Sequence, residues 1–592
     1  MDRRTLLAVV LSVIVITIGF SIQSLLFPPV EPVPPADVDE RQLTRPVDPD
    51  AAPRDPDARV EPTGTVVAIP QPGISTQQQI YENEVIRVTM DPAGATITSF
   101  ELLQHLDGEE PVNMVLRGDD DQAAMTLHFG NHNASPVTEL FEFRPVDSTT
   151  FEFSRRFNVV GQPDSEFRVV RRYQFASGEY MFRHEVEIRS DVAATFIPLN
   201  FDGIAYTIGY GPQIGPQFEE LDQRTEFRRY ITYQDGRRQN HTRIGRNDAQ
   251  IIRDRFRWAS VAGKYFAIVA VPQVNADLTA ILARRDYPGL PEGSQVYISR
   301  PVIRASAISD TYYYFAGPKI PATLNRYDTR ADNAWGHSDL SFREIQETRV
   351  LFGWLENILK WMLQMIARVV PNYGISIIIL TIVVKLALWP LTRKSYESNA
   401  RMQLVQPKMA EIREKYKDNQ QKQNEEMAKL YKKEGVNPLG GCLPMLAQFP
   451  FFIAMYGLFS NHFDLRGAEF IPGWIHDLSA PDVIFSFGDF TIPLIGWTAI
   501  RGLPIIFVGT QLLSTKLTQT PSTTQSSGQM KFMQLGLPII FFFILYNVPS
   551  GLLVYWIFSN VLTVGQQYYY NTKKNPAPPP PKKPTRPRKR HT

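Results

Sequence analysis

Long apolar runs are distributed unevenly along this chain. One opens it, Leu6 to Phe27, directly after Arg3 and Arg4, and the others fall between Leu351 and Tyr570. Between these regions, from about residue 79 to about residue 330, apolar residues come in short alternating stretches. The clearest is Met181 to Arg189, where Phe182, His184, Val186 and Ile188 alternate with Arg183, Glu185, Glu187 and Arg189. Period two sends one set to each face of a strand. Ser177-Gly178-Glu179 supplies a turn from a preceding strand, Phe167–Phe175, and Asp107-Gly108 signals another hairpin. Trp258–Val271 reads as a central strand pair. Short strands separated by frequent turns predict an antiparallel sandwich over residues 79–342. His184 sits on an apolar face, where a hydrogen-bonded core histidine is the expected reading rather than a ligand.

The opening run is long enough to cross a bilayer at ~1.5 Å per residue. Pro28 and Pro29 follow it instead of a small-residue cleavage site, so residues 1–27 are expected to be an uncleaved transmembrane anchor. Residues 28–78, rich in Pro, Asp, Glu and Arg, predict a disordered linker. In the second half, Glu356, Lys360, Gln364 and Arg368 recur every four residues and form one polar stripe on an otherwise apolar helix. That pattern predicts a helix lying in the membrane interface, 347–370, within a membrane core covering 343–572. Spans are expected at about 373–390, 442–460, 492–514, 531–547 and 551–570, six with the anchor. Between the first two of these, Met402, Val405, Met409, Ile412 and Tyr416, then Met427, Leu430 and Tyr431, recur at helical spacing. They predict a helical hairpin over 393–436 that turns at Lys417–Gln420, with Met402, Met409 and Met427 as candidates for adaptable contact with apolar partners.

Charge orients these elements. The hairpin loop carries Arg393, Lys394, Arg401, Lys408 and further cations, and the tail 573–592 is basic without an acid. The short connection 461–490 holds Asp464, Glu469, Asp477 and Asp482 against Arg466. The positive-inside rule then predicts cytoplasmic N- and C-termini and a large β domain outside the membrane. The whole 592-residue chain has a net charge of only +2, too small to indicate a nucleic-acid binder. Its single cysteine, Cys442, excludes an intramolecular disulfide and a cysteine-built metal site. No phosphate-binding loop, HExxH or nucleophile elbow is present, so neither a catalytic residue nor a cofactor is expected.

The informative residue is Lys385, inside the span 373–390. A charge at the centre of a spanning helix costs roughly 2.5–3.5 kcal/mol on insertion scales. Thr381 lies one turn away on the same face. Four residues separate Lys385 from Trp389, so snorkelling to the interface is an open alternative. Gln448, Thr510, Gln511, Ser559, Asn560, Thr563 and Gln566 place polar groups in or near the other spans. Together with Lys385 they predict a hydrophilic cavity open towards the cytoplasm.

The segment Asn437-Pro438-Leu439-Gly440-Gly441-Cys442-Leu443-Pro444 closely resembles the one that opens the third span of the YidC insertase family (YidC/Oxa/Alb). Gly374–Ile379, Pro390-Leu391-Thr392, Gln406-Pro407-Lys408, Trp474–Ser479 and Pro549–Leu552 match in order. The resemblance covers nearly the whole chain and is to the Gram-negative form with a large periplasmic domain. It implies a multi-domain protein: a periplasmic all-β sandwich of β-supersandwich type and an α-helical polytopic core with a cytoplasm-facing groove. Lys385 falls where the family usually has Arg, which keeps the charge and loses the bidentate fork. Thr381 matches the groove threonine, and Trp556 stands at a groove aromatic that is usually Tyr. The implied activity is insertion and folding of integral membrane proteins in the bacterial inner membrane, alone or with the Sec translocon. The implied partners are nascent membrane proteins, the lipid bilayer and, through the basic tail and hairpin, the ribosome; no small-molecule substrate is implied. A secondary transporter would show paired broken helices in inverted repeats, which are not seen. A membrane-tethered carbohydrate-processing protein leaves the later spans unexplained.

Overall fold

A computed structural model describes residues 64–573 except 108, 116–122, 162–164, 191–198, 212–214, 216–227, 243, 275, 288–289, 347–351, 436–442, 489–491, 493–496 and 519–535, and leaves aside some further side chains. The anchor 1–27, most of the linker, the stretch 437–442, the side chain of Met402 and the tail beyond 573 lie outside the described residues.

The period-two stretch forms the strand Met181–Ser190, paired antiparallel with Phe167–Gln174 on one edge and Ala307–Pro318 on the other. The turn before it passes through Gly178 at φ 67°, a left-handed conformation suited to glycine. Trp258–Ala262 and Phe266–Gln273 pair with each other inside the same ten-stranded sheet, as the central-pair reading expects. A five-stranded and a four-stranded sheet complete an all-β, sandwich-like domain. Their inner faces share one core. Phe100 of the four-stranded sheet lies 5.8 Å from Phe182, and Tyr210 of the five-stranded sheet lies 6.3 Å from Tyr314. The linker ends earlier than expected: Val66–Ala68 is a strand on the edge of the large sheet, in register with Phe157–Val159. Val66 and Val67 favour extended backbone, and the edge tolerates the flanking prolines.

Arg171, His184 and Tyr173 anchor this core. Arg171 is fully buried. Its Nη1 donates to Gly94 O at 2.7 Å, its Nη2 to Met125 O at 2.6 Å and its Nε to His184 Nε2 at 3.2 Å. The His184 ring stacks on Tyr173 at 4.7 Å. Burial, and next the Arg171 charge, hold His184 well below its ordinary pKa, so it is a neutral acceptor.

The helical core begins with α1 (Gly353–Val369). It buries Leu355, Leu359 and Leu363 and leaves Trp354, Trp361 and Val369 exposed. Next come α2 (Tyr373–Lys415), α3 (Gln420–Glu434), α4 (Leu443–Asn461), α5 (Leu503–Thr518), α6 (Leu537–Ile544) and α7 (Ser550–Lys573). By length and composition one described stretch, Tyr373–Pro390, suffices to cross a bilayer.

The helix that carries the first span does not end with it at Pro390: α2 runs on through Pro390 and Pro407 as one 43-residue helix into the hairpin. One expected boundary needs correction. The third span does not start at 492. Ala499–Ile500 pairs with Phe485–Ser486 as a small hairpin, Ile492 bridges Trp497, and α5 starts at Leu503. An apolar run does not by itself tell strand from helix. Here the start is set by Pro504 in the first turn and by Asp482, whose Oδ2 accepts from Gly502 N at 2.7 Å and Leu503 N at 3.0 Å.

The two parts meet at Phe463, just after α4. Its ring packs edge-on against His105 at 5.0 Å and against Tyr265 and Phe266 at 5.7 Å each, while Arg466 Nη1 donates to Leu106 O at 2.6 Å.

Candidate functional site

The site is built on α2 and α7. The N-cap of α2 is Asn372, whose side chain accepts from Ile375 N. Gly374 lets Phe470 lie directly against the helix, where a Cβ would collide with the ring. Lys385 lies about 20 Å along the helix axis from Asn372.

Lys385 does not snorkel. Its residue is 9% exposed, and its Nζ donates across the helix pair to Thr563 Oγ1 of α7 at 2.9 Å. The Thr563 hydroxyl donates to Ser559 O at 2.8 Å, so its lone pair is free to accept from the ammonium. Ser559 Oγ accepts from Gln448 Nε2 of α4 at 3.3 Å. Among the described residues Thr563 is the one hydrogen-bond partner of Lys385, and no carboxylate lies within ion-pair distance. An ammonium has three donors, so two are left without a protein acceptor.

Asn560, one turn along α7 from Trp556, reaches α5 by donating to Gln511 Oε1 at 3.0 Å and Thr510 Oγ1 at 3.4 Å. Trp556 lies between Phe452 of α4, stacked at 4.7 Å, and Phe507 of α5, stacked at 5.3 Å. Thus Lys385, Gln448, Thr510, Gln511, Trp556 and Asn560 all fall on surfaces that pack around α7. Thr381 is fully buried, but its hydroxyl donates to Ile377 O at 2.7 Å, so it bonds to its own helix and not to Lys385. In the hairpin, Met409 and Met427 pack with Val405 and Leu430 in a small core of their own.

One polar cluster was missed in the sequence. Besides capping α5, the buried Asp482 accepts from Trp474 Nε1 at 2.9 Å. Arg501 donates to Asp482 O at 3.0 Å and to Asn547 Oδ1 at 2.9 Å, and Tyr546 donates to Ala499 O. These bonds tie the start of α5 to the turn between α6 and α7. The signal was Arg501 itself: a charge inside the expected span 492–514 marks a misplaced boundary.

Fold and site define a helical membrane protein with a large all-β domain and a buried, nearly unpartnered cation between its helices. Residues 365–577 match the family model described as 60Kd inner membrane protein, and residues 80–365 match the one described as YidC periplasmic domain. The chain is 36% identical over 577 residues to the membrane protein insertase YidC of Treponema denticola, covering 96% of this chain and 98% of that protein. It is 32% identical to the one of Treponema pallidum, again over 96% and 98%. A crystal structure of an active YidC insertase with its first transmembrane domain resolved aligns at 18% identity and TM-score 0.35, over 86% of this chain and 95% of that one. On the strength of the sequence identities, the chain belongs to the YidC family of membrane protein insertases. The β domain is its periplasmic domain and the helices its inner-membrane core.

Proposed function

We propose that this protein inserts and folds integral membrane proteins in the bacterial inner membrane, through a hydrophilic groove between α2, α4, α5 and α7 that opens to the cytoplasm. The observation that carries this reading is the Lys385 ammonium, buried among helices with a single hydroxyl acceptor. A cation buried in this way is stabilised when water or an arriving anion completes its shell.

The core crosses the membrane six times including the N-terminal anchor, with both termini in the cytoplasm, in keeping with the basic loops and tail. The basic tail and the hairpin receive a nascent hydrophobic segment, delivered by the ribosome or shared with the Sec translocon. The unbranched Met409 and Met427 let the hairpin arms re-pack as the segment arrives, beside Met402 on the first arm. Lys385 attracts acidic groups of the segment's short extracytoplasmic tail. Gln448, Thr510, Gln511 and Asn560 offer hydrogen bonds on the way, and Thr381 and Trp556 shape the apolar wall. The segment then leaves into lipid, where apolar burial of ~25 cal/mol per Å² supplies the energy. The membrane potential adds ~2.3 kcal/mol per acidic charge per 100 mV. No nucleotide hydrolysis by the chain enters this cycle.

The test is complementation. In cells depleted of their own insertase, supplying this chain restores protease protection of a small phage-coat-like substrate. Absence of rescue by a chain that accumulates normally in the membrane overturns the proposal.

A further inference from the structure

The periplasmic domain holds a cavity of about 450 Å³ that the insertion reading does not use. The segment 253–257, which leaves the edge strand Asp248–Ile252, lines it with Arg253, Arg255, Phe256 and Arg257. Arg253, Arg255 and Arg257 alternate along it, and all three line the cavity against one acid, Asp277. Arg253 and Arg255 are exposed and have no hydrogen-bond or ion-pair partner among the described residues. The floor includes His337, 6% exposed, whose Nε2 has no hydrogen-bond partner.

The wall is built rigidly. Asn333 bonds the backbone of His337 in both directions, at 2.9 Å each. Arg257 Nη2 donates to Ser338 O at 2.8 Å, and Trp258 Nε1 donates to Leu340 O at 2.7 Å. The Tyr313 ring packs edge-on against the imidazole at 4.4 Å. Burial, and next the Arg257 charge, lower the pKa of His337, which favours the neutral ring.

We propose that this cavity is a binding site for carboxylate-rich extended peptide. The unpartnered guanidinium forks of Arg253 and Arg255 match side-chain carboxylates bidentately. The cavity volume is that of a ligand site rather than a packing defect. Position favours peptide over lipid headgroup. The strand that supplies the cavity's Val271, Pro272 and Gln273 contacts the membrane core at its other end, Phe266, about 20 Å away at ~3.3 Å per residue. At that distance from the contact with the core, the occupant proposed is peptide of the aqueous compartment, where acidic tails of inserted proteins emerge. Only that source of peptide rests on the proposed function; binding itself is read on the purified chain, so either reading can fail without the other.

The experiment uses the full-length chain in detergent and a short fluorescein-labelled glutamate-rich peptide, followed by fluorescence anisotropy. The expected result is saturable binding that weakens with salt, is absent for the glutamine counterpart, and is not displaced by equimolar inorganic phosphate or free glutamate. The double variant Arg253→Gln/Arg255→Gln loses roughly tenfold or more in affinity, with thermal unfolding unchanged. Arg257 is left intact because it pins Ser338. Equal binding by the double variant, or displacement by phosphate or glutamate as effective as by unlabelled peptide, overturns the proposal. So does a result in which anionic vesicles, and not the peptide, bind through Arg253 and Arg255.

Discussion

Each of the two parts of this molecule buries a cation, and they treat it in opposite ways. In the periplasmic domain each of the three nitrogens of the Arg171 guanidinium has a fixed acceptor: two carbonyls and a neutral histidine, with Tyr173 beneath it. In the membrane core Lys385 has one hydroxyl. A buried charge held at every nitrogen by fixed acceptors stiffens a fold. One held by a single hydroxyl leaves room for water or an anion to bind. The same element of chemistry is thus structural in one part and, on the reading proposed above, functional in the other.

The comparison can be broken most severely at Arg171. Arg171→Met leaves Gly94 O, Met125 O and His184 Nε2 without their donor, and should destabilise the periplasmic domain by about 3–5 kcal/mol. Urea unfolding followed by tryptophan fluorescence checks this. A loss below about 1 kcal/mol would mean that the guanidinium is not the anchor described. The matching change in the core, Lys385→Met, removes an unsatisfied charge and should leave thermal stability unchanged or raised while insertion falls.

A smaller effect is expected at Asp482. Asp482→Asn keeps the shape but weakens the charge-assisted cap on α5, at about 1–2 kcal/mol. Thermal unfolding in detergent reads it as a Tm lower by a few degrees, with binding of substrate segments intact.

The smallest effect is a pH dependence at the contact between the two parts. His105 faces Phe463, Phe266 and Tyr180, whose hydroxyl is 3.3 Å from its Nε2, and it lies near Arg466. Burial first, and Arg466 second, push its pKa from 6.5 down to about 4. The folded state therefore prefers the neutral ring. Its contribution is fully present above about pH 6.5 and is lost as pH falls through about 4. The Tm difference between the native chain and His105→Gln should shrink over that window; a difference independent of pH would contradict the assignment.

Much of this was legible in the sequence where a pattern is local. The alternation of Met181–Arg189 set both its faces, and the heptad-like methionines set the hairpin with its turn before Gln420. Lys385 declared itself by its cost in a span. What was not legible depends on partners distant in sequence. Val66–Ala68 becomes a strand only because the edge at Phe157–Val159 is open to it. Pairing of Lys385 with Thr563, rather than the nearer Thr381, follows from how α2 and α7 cross. The hairpin before α5 looked like a span because its residues are apolar, and Arg501 was the one warning.

The central claim is that the incomplete shell of Lys385 serves acidic groups in transit. The direct measurement is protease protection, in insertase-depleted cells at equal protein level, of one substrate with an acidic extracytoplasmic tail and of its copy with the tail carboxylates changed to amides. Lys385→Gln should lower insertion of the acidic-tailed substrate about tenfold, spare the amide copy, and be rescued by Lys385→Arg. Equal insertion of both substrates by Lys385→Gln and by the native chain would contradict the account.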